Sequence, residues 1–176
     1  MTVEAPAINA RLVLVTVGVG TFMSALDGSV VNVILPQLRT DLHAPLASVQ
    51  WVTTIYLLVV SSLLLGFGRA GDQRGHKGFY QLGFLLFVLG SLGCGLTSGV
   101  HLLVFARGLQ GIGAAMLFAN APAILTRAFP PQARGRALGA QGAFTYLGLT
   151  VGPILGGWIA HSFGWRWVFF INLPIG

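Results

Sequence analysis

Apolar residues in this chain come in long runs that polar residues hardly interrupt. The first covers Leu12 to Leu35, and four more follow at Ala47–Phe67, Phe79–Leu96, Leu102–Leu125 and Ala137–Ala160. The pattern is neither the alternation of a half-buried strand nor the one-sided stripe of a surface helix. At about 1.5 Å per residue, 24 helical residues reach about 36 Å, enough to cross a hydrocarbon core of roughly 30 Å with some tilt. The runs therefore predict five transmembrane helices at about 12–35, 47–67, 79–96, 102–125 and 137–160. A sixth begins at Trp167 and reaches Gly176, about half of the ~20 residues a span requires, so the chain is expected to break off inside it. The first run lacks the short core and small-residue cleavage site of a secretory signal and is read as a retained span. The fold class is an all-α membrane protein.

Composition agrees: 55% of the residues are hydrophobic and 8% are charged, against about 25% charged in soluble domains. A net charge of +6 alone would admit a nucleic-acid partner. The cations, however, fall singly or in small groups between the apolar runs, so the expected partner is the lipid bilayer and not nucleic acid. Their distribution sets orientation. The N-terminal segment, which carries Glu4 and Arg11, and the connections after the second and fourth spans together hold Arg11, Arg69, Arg74, Lys77, Arg127, Arg134 and Arg136. The remaining connections hold Arg39 and Arg166. Seven against two places the N-terminus in the cytoplasm. Trp51, Trp158, Trp165 and Trp167 stand near span ends, where an indole prefers the headgroup level. Cys94 lies alone in an apolar run and reads as a small buried hydrophobe.

The densest charge lies between the second and third spans, from Gly68 to Lys77, with Arg69, Asp72, Arg74 and Lys77 among three glycines. Glycine supplies the positive φ a short turn needs and the charges keep it solvated, so a tight hairpin between helices is expected. Asp72 would sit just ahead of the third span, where a helix N-terminus favours an anion. In the fifth span Gly148, Gly152 and Gly156 recur every four residues, a face on which another backbone can approach closely. Pro153 and Pro122 each lack an N–H, and a bend is expected at both.

Asp27 and Arg107 are the charged residues deep inside the runs, and each costs roughly 2.5–3.5 kcal/mol on an insertion scale unless it meets water or a partner. Asp27 lies nine residues inside Pro36 and Arg107 six inside His101, depths of about 13 and 9 Å from the same side. They are expected to share a polar cavity and to pair, directly or through water. The competing reading has Arg107 snorkelling outward or bonding carbonyls of a neighbouring helix. Gln110 follows Arg107 at helical spacing, ahead of Gly111, Ala114 and Ala115, and Asn32 extends the polar character of the first span. His43, His76, His101 and His161 show no metal-ligand spacing, and no nucleophile stands beside a base. No catalytic, metal or cofactor site is expected, and the chain does not read as an enzyme.

These residues resemble the major facilitator superfamily of secondary transporters, within it the fourteen-span drug:proton antiporters. Gly68, Asp72, Gly75 and Lys77 match the motif between the second and third spans. Arg107, Gln110, Gly111, Gly113, Ala114 and Ala115 match that of the fourth, and Gly148, Gly152, Pro153, Gly156 and Gly157 the antiporter motif of the fifth. Leu26 to Pro36 is similar to the first-span motif of the fourteen-span branch, as is Trp165-Arg166-Trp167 running into Asn172-Leu173-Pro174. Departures are Ala70, Gln73 and His76 in the loop, and Ser29 and Ile34 in the first span.

The resemblance implies the N-terminal half of a rocker-switch bundle built from inverted three-helix repeats, with Asp27 and Arg107 on the first helix of each repeat. It implies proton coupling through Arg107, a charge network around Asp72 and Arg74 that steadies the outward-facing state, and a bend at Gly152-Pro153 that marks exporters. The expected function is proton-coupled efflux of small organic compounds across the plasma membrane, with protons, a small-molecule substrate and the missing C-terminal half of the transporter as partners. The alternatives are a membrane-embedded interaction or sensor protein derived from a transporter, a half-transporter that dimerises, and a non-functional truncation.

Overall fold

The computed structural model describes residues 9–174, so Glu4 and the last two residues of the expected sixth span lie outside the described residues. Five long helices follow one another: α1 (Ala10–Asp41), α2 (Leu46–Arg74), α3 (His76–Leu96), α4 (Val100–Ala128) and α5 (Pro131–Phe163). A one-turn α6 (Trp167–Phe170) closes the order. Among the described residues all five long helices are long and apolar enough to cross a membrane.

Every long helix begins before its apolar run and all but α3 outlast it, because the backbone ladder does not stop where the hydrocarbon does and most charged side chains at its ends are good helix formers. The largest correction is at Gly68–Lys77. Its charges are exposed as expected, but the turn is far shorter: α2 runs on through Arg69, Asp72 and Arg74, and α3 starts at His76. The turn contracts to Gly75 alone, at φ +99, a conformation a side chain would strain. Gly71 is no turn residue but lies buried where a Cβ would meet Asn120 and His76. The helices run unbroken through Pro36, Pro122 and Pro153.

Small residues decide which helices touch. A Cβ at Gly148 would come within 2.5 Å of the Phe22 carbonyl and one at Gly152 within 3.0 Å of the Leu26 carbonyl, so α5 lies backbone to backbone on α1. Gly111 does the same for α4 against α2, at 3.1 Å from the Tyr56 carbonyl, and Gly113 for α4 against α3, at 2.6 Å from the Gly83 carbonyl. Thus α1 pairs with α5 and α4 with α2, while α1 and α4 meet each other. This exchange is what two inverted three-helix units would give, with α1 and α4 in equivalent places.

Two apolar clusters result. One gathers Leu26, Leu38, Leu103, Trp165 and Phe169; the other gathers Val17, Tyr80, Phe87, Leu117 and Leu125. Trp165 thereby departs from the expected interfacial belt. It is buried, because the turn at Gly164 (φ +92) folds it inward against Phe169, ring centroids 6.2 Å apart and nearly perpendicular. Trp51, Trp158 and Trp167 are exposed. Of the expected start of a sixth span, Trp167–Phe170 form one helical turn and residues 171–174 continue as turn. Leu173 precedes Pro174, which disfavours helical backbone at that position, and Asn172 points back into the bundle.

Candidate functional site: a buried carboxylate in a network of five segments

Asp27, on α1, is fully buried at the border between the two apolar clusters. Charge taken into such surroundings survives only with partners, and the carboxylate has three. Arg107 Nη1 donates to Oδ2. Gln110 Nε2 donates to Oδ1 at 2.9 Å and Asn172 Nδ2 to the same oxygen at 3.0 Å. The Arg107–Gln110 spacing on α4 matters here, since residues three apart share a helix face and both can reach the same acid.

The partners are themselves tied. Arg107 Nη1 also donates to Gln110 Oε1 at 2.7 Å, and its Nε donates to the Val52 carbonyl of α2 at 3.2 Å. The guanidinium lies over the Tyr56 ring, Cζ 4.1 Å from the centroid, a cation–π contact in a buried site. Tyr56 is fixed in turn by donating its hydroxyl to the Ser24 carbonyl at 2.9 Å. Asn172 Nδ2 donates to Ser91 Oγ at 2.9 Å, and Ser91 donates to the Phe169 carbonyl at 2.8 Å. Cys94 Sγ approaches Gln110 Oε1 at 3.6 Å as a weak donor. One charge-neutral network therefore joins α1, α2, α3, α4 and the turn after α6.

The depth argument brought Asp27 and Arg107 to the same level, and the structure brings them into contact. Both competing readings of Arg107 contain part of the geometry, because the same guanidinium pairs with Asp27 and bonds a neighbouring carbonyl. Both side chains are fully buried, each packed against protein on every side. Asn32 is exposed, turned away from Asp27, and outside the network. Asn172, Ser91 and Tyr56 were not picked out as site residues. For Asn172 the signal was present as a polar residue in an apolar run; Ser91 and Tyr56 carry none that distinguishes them from interhelical packing.

The other motif residues fall elsewhere. Gly68 has open space around it, and Arg74 and Lys77 are exposed. The side chain of Asp72 is 71% exposed and sits 3.3 Å from Nε2 of His76. It occupies the last turn of α2, and neither it nor Arg74 pairs with the other among the described residues. His76 is buried and its Nδ1 meets Asn120 Oδ1 at 2.8 Å. Gly148, Gly152 and Gly156 face α1, whereas Gly157 meets only Val33 at an ordinary 3.7 Å and Pro153 points outward.

Comparison with known proteins gives this arrangement a family. The model of the Major Facilitator Superfamily matches residues 17–176. The riboflavin transporter RibZ of Clostridioides difficile is 40% identical over 165 residues, covering 94% of this chain and 36% of that protein. The multidrug resistance protein Stp of Mycobacterium tuberculosis is 37% identical over 166 residues, covering 94% and 31%. The tetracenomycin C resistance and export protein of Streptomyces glaucescens is 38% identical over 163 residues, covering 93% and 30%. The chain belongs to the Major Facilitator Superfamily, and its helices form an N-terminal half-bundle of that family. It spans between 30 and 36% of the length of these three relatives.

Proposed function

We propose that this chain is the N-terminal portion of a fourteen-span, proton-coupled exporter of small organic compounds, set in the plasma membrane with its N-terminus in the cytoplasm. The observation that carries the reading is the burial of Asp27 with a single cation, Arg107, inside a network that ties α1 to α4. Protonation of Asp27 would remove the charge that Arg107 and two amides converge on. The link between the two helices would loosen and Arg107 would be left to find another partner, which is how a proton can bias a switch between two packings.

The seven-to-two distribution of cations supports the orientation. The glycine face of α5 against α1 supports the exporter assignment, as do the names of two relatives, one called a multidrug resistance protein and one an export protein. Substrates and the partner half would meet this domain along the faces that remain exposed.

Everted membrane vesicles carrying the gene product test the reading. A pH gradient should drive uptake of a fluorescent organic cation, Asp27→Asn should lower it at least tenfold, and Asp27→Glu should keep part of it. Uptake by Asp27→Asn at the normal rate would remove the proton-coupled assignment. An N-terminal tag on the chromosomal gene should report a band well above 18.6 kDa. A band at that mass would leave a partner-dependent assembly in place of a self-sufficient exporter.

A further inference from the structure

The end of the bundle that carries Arg11, Lys77 and Arg127 holds a cleft of about 480 Å³ between α1, α3 and α4. Its walls divide by chemistry. Leu12, Val13 and Ile124 supply an apolar side, while Lys77 and Arg127 supply two cations beside His76, and no carboxylate among the described residues lines it. The cleft is a built feature. Tyr80 forms part of the wall and donates its hydroxyl to the Val17 carbonyl at 3.2 Å, clamping α3 to α1. That approach is open because Gly20 has no Cβ, which would strike the Tyr80 hydroxyl and the Phe84 ring.

Two observations make the basic side suited to an anion. Lys77 and Arg127 are exposed, so their charges are available at the rim. The N-terminus of α3 has Gly75 as its cap and therefore no side chain accepting from its first N–H groups. His76, 4% exposed, lines the cleft with Nδ1 held by Asn120 and Nε2 3.3 Å from the Asp72 carboxylate, so its ring is already engaged and the cations at the rim carry the charge. The side chain of Asp72 lies outside the lining.

We propose that this cleft binds an anionic phospholipid, its phosphate at Lys77 and Arg127 and the first methylenes of an acyl chain along Leu12, Val13 and Ile124. The combination of charges and apolar wall selects the occupant. A free phosphate would leave the apolar side unmatched, and a neutral lipid would leave the cations unmatched. Basic pockets between transmembrane helices at the end facing an anionic leaflet take acidic headgroups by the same logic.

Native mass spectrometry of the protein released from nanodiscs of mixed phosphatidylglycerol and phosphatidylcholine provides the test. One phosphatidylglycerol should be retained in preference to phosphatidylcholine. Lys77→Gln or Arg127→Gln should each lower that retention roughly fivefold and the double variant roughly thirtyfold. Arg134→Gln and Arg136→Gln, at the same end but outside the cleft, serve as controls and should leave it unchanged. Equal retention of the two lipids, an equal effect of the control variants, or persistence in the double variant would overturn the proposal. So would displacement by millimolar inorganic phosphate, which would make the site one for the anion without its chain. Absence of any retained lipid would overturn it as well, with another protein segment as the cleft's cover.

Discussion

The carboxylate of Asp27 and the guanidinium of Arg107 meet 80 positions apart in sequence, both fully buried, with the Tyr56 ring packed 4.1 Å beneath the cation. Neither charge is tolerable alone. Removing one partner of a buried pair leaves the other uncompensated and typically costs about 3–5 kcal/mol, whereas removing both can cost little. Arg107→Gln alone should therefore destabilise the bundle more than Asp27→Asn with Arg107→Gln together. Chemical unfolding in mild detergent checks this. Strictly additive losses from the two single variants would contradict direct pairing.

Tyr56 separates two contributions to the same site. Tyr56→Phe removes the hydroxyl bond to the Ser24 carbonyl and keeps the ring under Arg107, for an expected cost of about 1 kcal/mol. Tyr56→Leu removes both, and its extra loss should include about 1–2 kcal/mol of cation–π attraction at this buried guanidinium. Equal unfolding midpoints for the two variants would show that the ring face contributes nothing to holding the guanidinium.

How much of this was legible beforehand follows from what each signal depends on. Spans were legible because their cause, a run of apolar side chains, is local. The meeting of Asp27 and Arg107 was legible because rise per residue converts position into depth. Helix ends were not, since α2 keeps its hydrogen bonds past Gly68 into water where no apolar signal marks it. The role of Asn172 was not, because its place depends on the turn that follows the single helical turn of α6. Trp165 went inward for a reason carried by the φ of Gly164, which composition does not express.

The same distinction predicts opposite outcomes for two glycines of the α2–α3 region. Gly75 holds φ +99, where an added side chain costs about 1–3 kcal/mol, so Gly75→Ala should destabilise. Gly68 sits within helix α2 with open space around it, and Gly68→Ala should be neutral or stabilise by up to about 1 kcal/mol. Had the segment been a flexible hairpin, the two would respond alike. Paired unfolding curves decide between these outcomes.

Within the glycine motif of α5, spacing hides a difference that the structure exposes. A Cβ on Gly148 would stand 2.5 Å from the Phe22 carbonyl and 3.0 Å from the Leu26 nitrogen, and backbone cannot swing aside as a side chain can. Gly148→Ala must therefore push α5 from α1 or strain both, at an expected cost of about 1–3 kcal/mol. Gly157, one residue beyond Gly156, would place a Cβ at an ordinary 3.7 Å from Val33, so Gly157→Ala should leave stability unchanged. Because α1 carries Asp27, separation of α5 from α1 should also disturb the buried pair. Gly148→Ala is thus expected to lower both the unfolding midpoint and pH-driven uptake in vesicles, and Gly157→Ala neither. A Gly148→Ala variant with normal stability and normal uptake would show that close contact between these two backbones is not what the motif supplies.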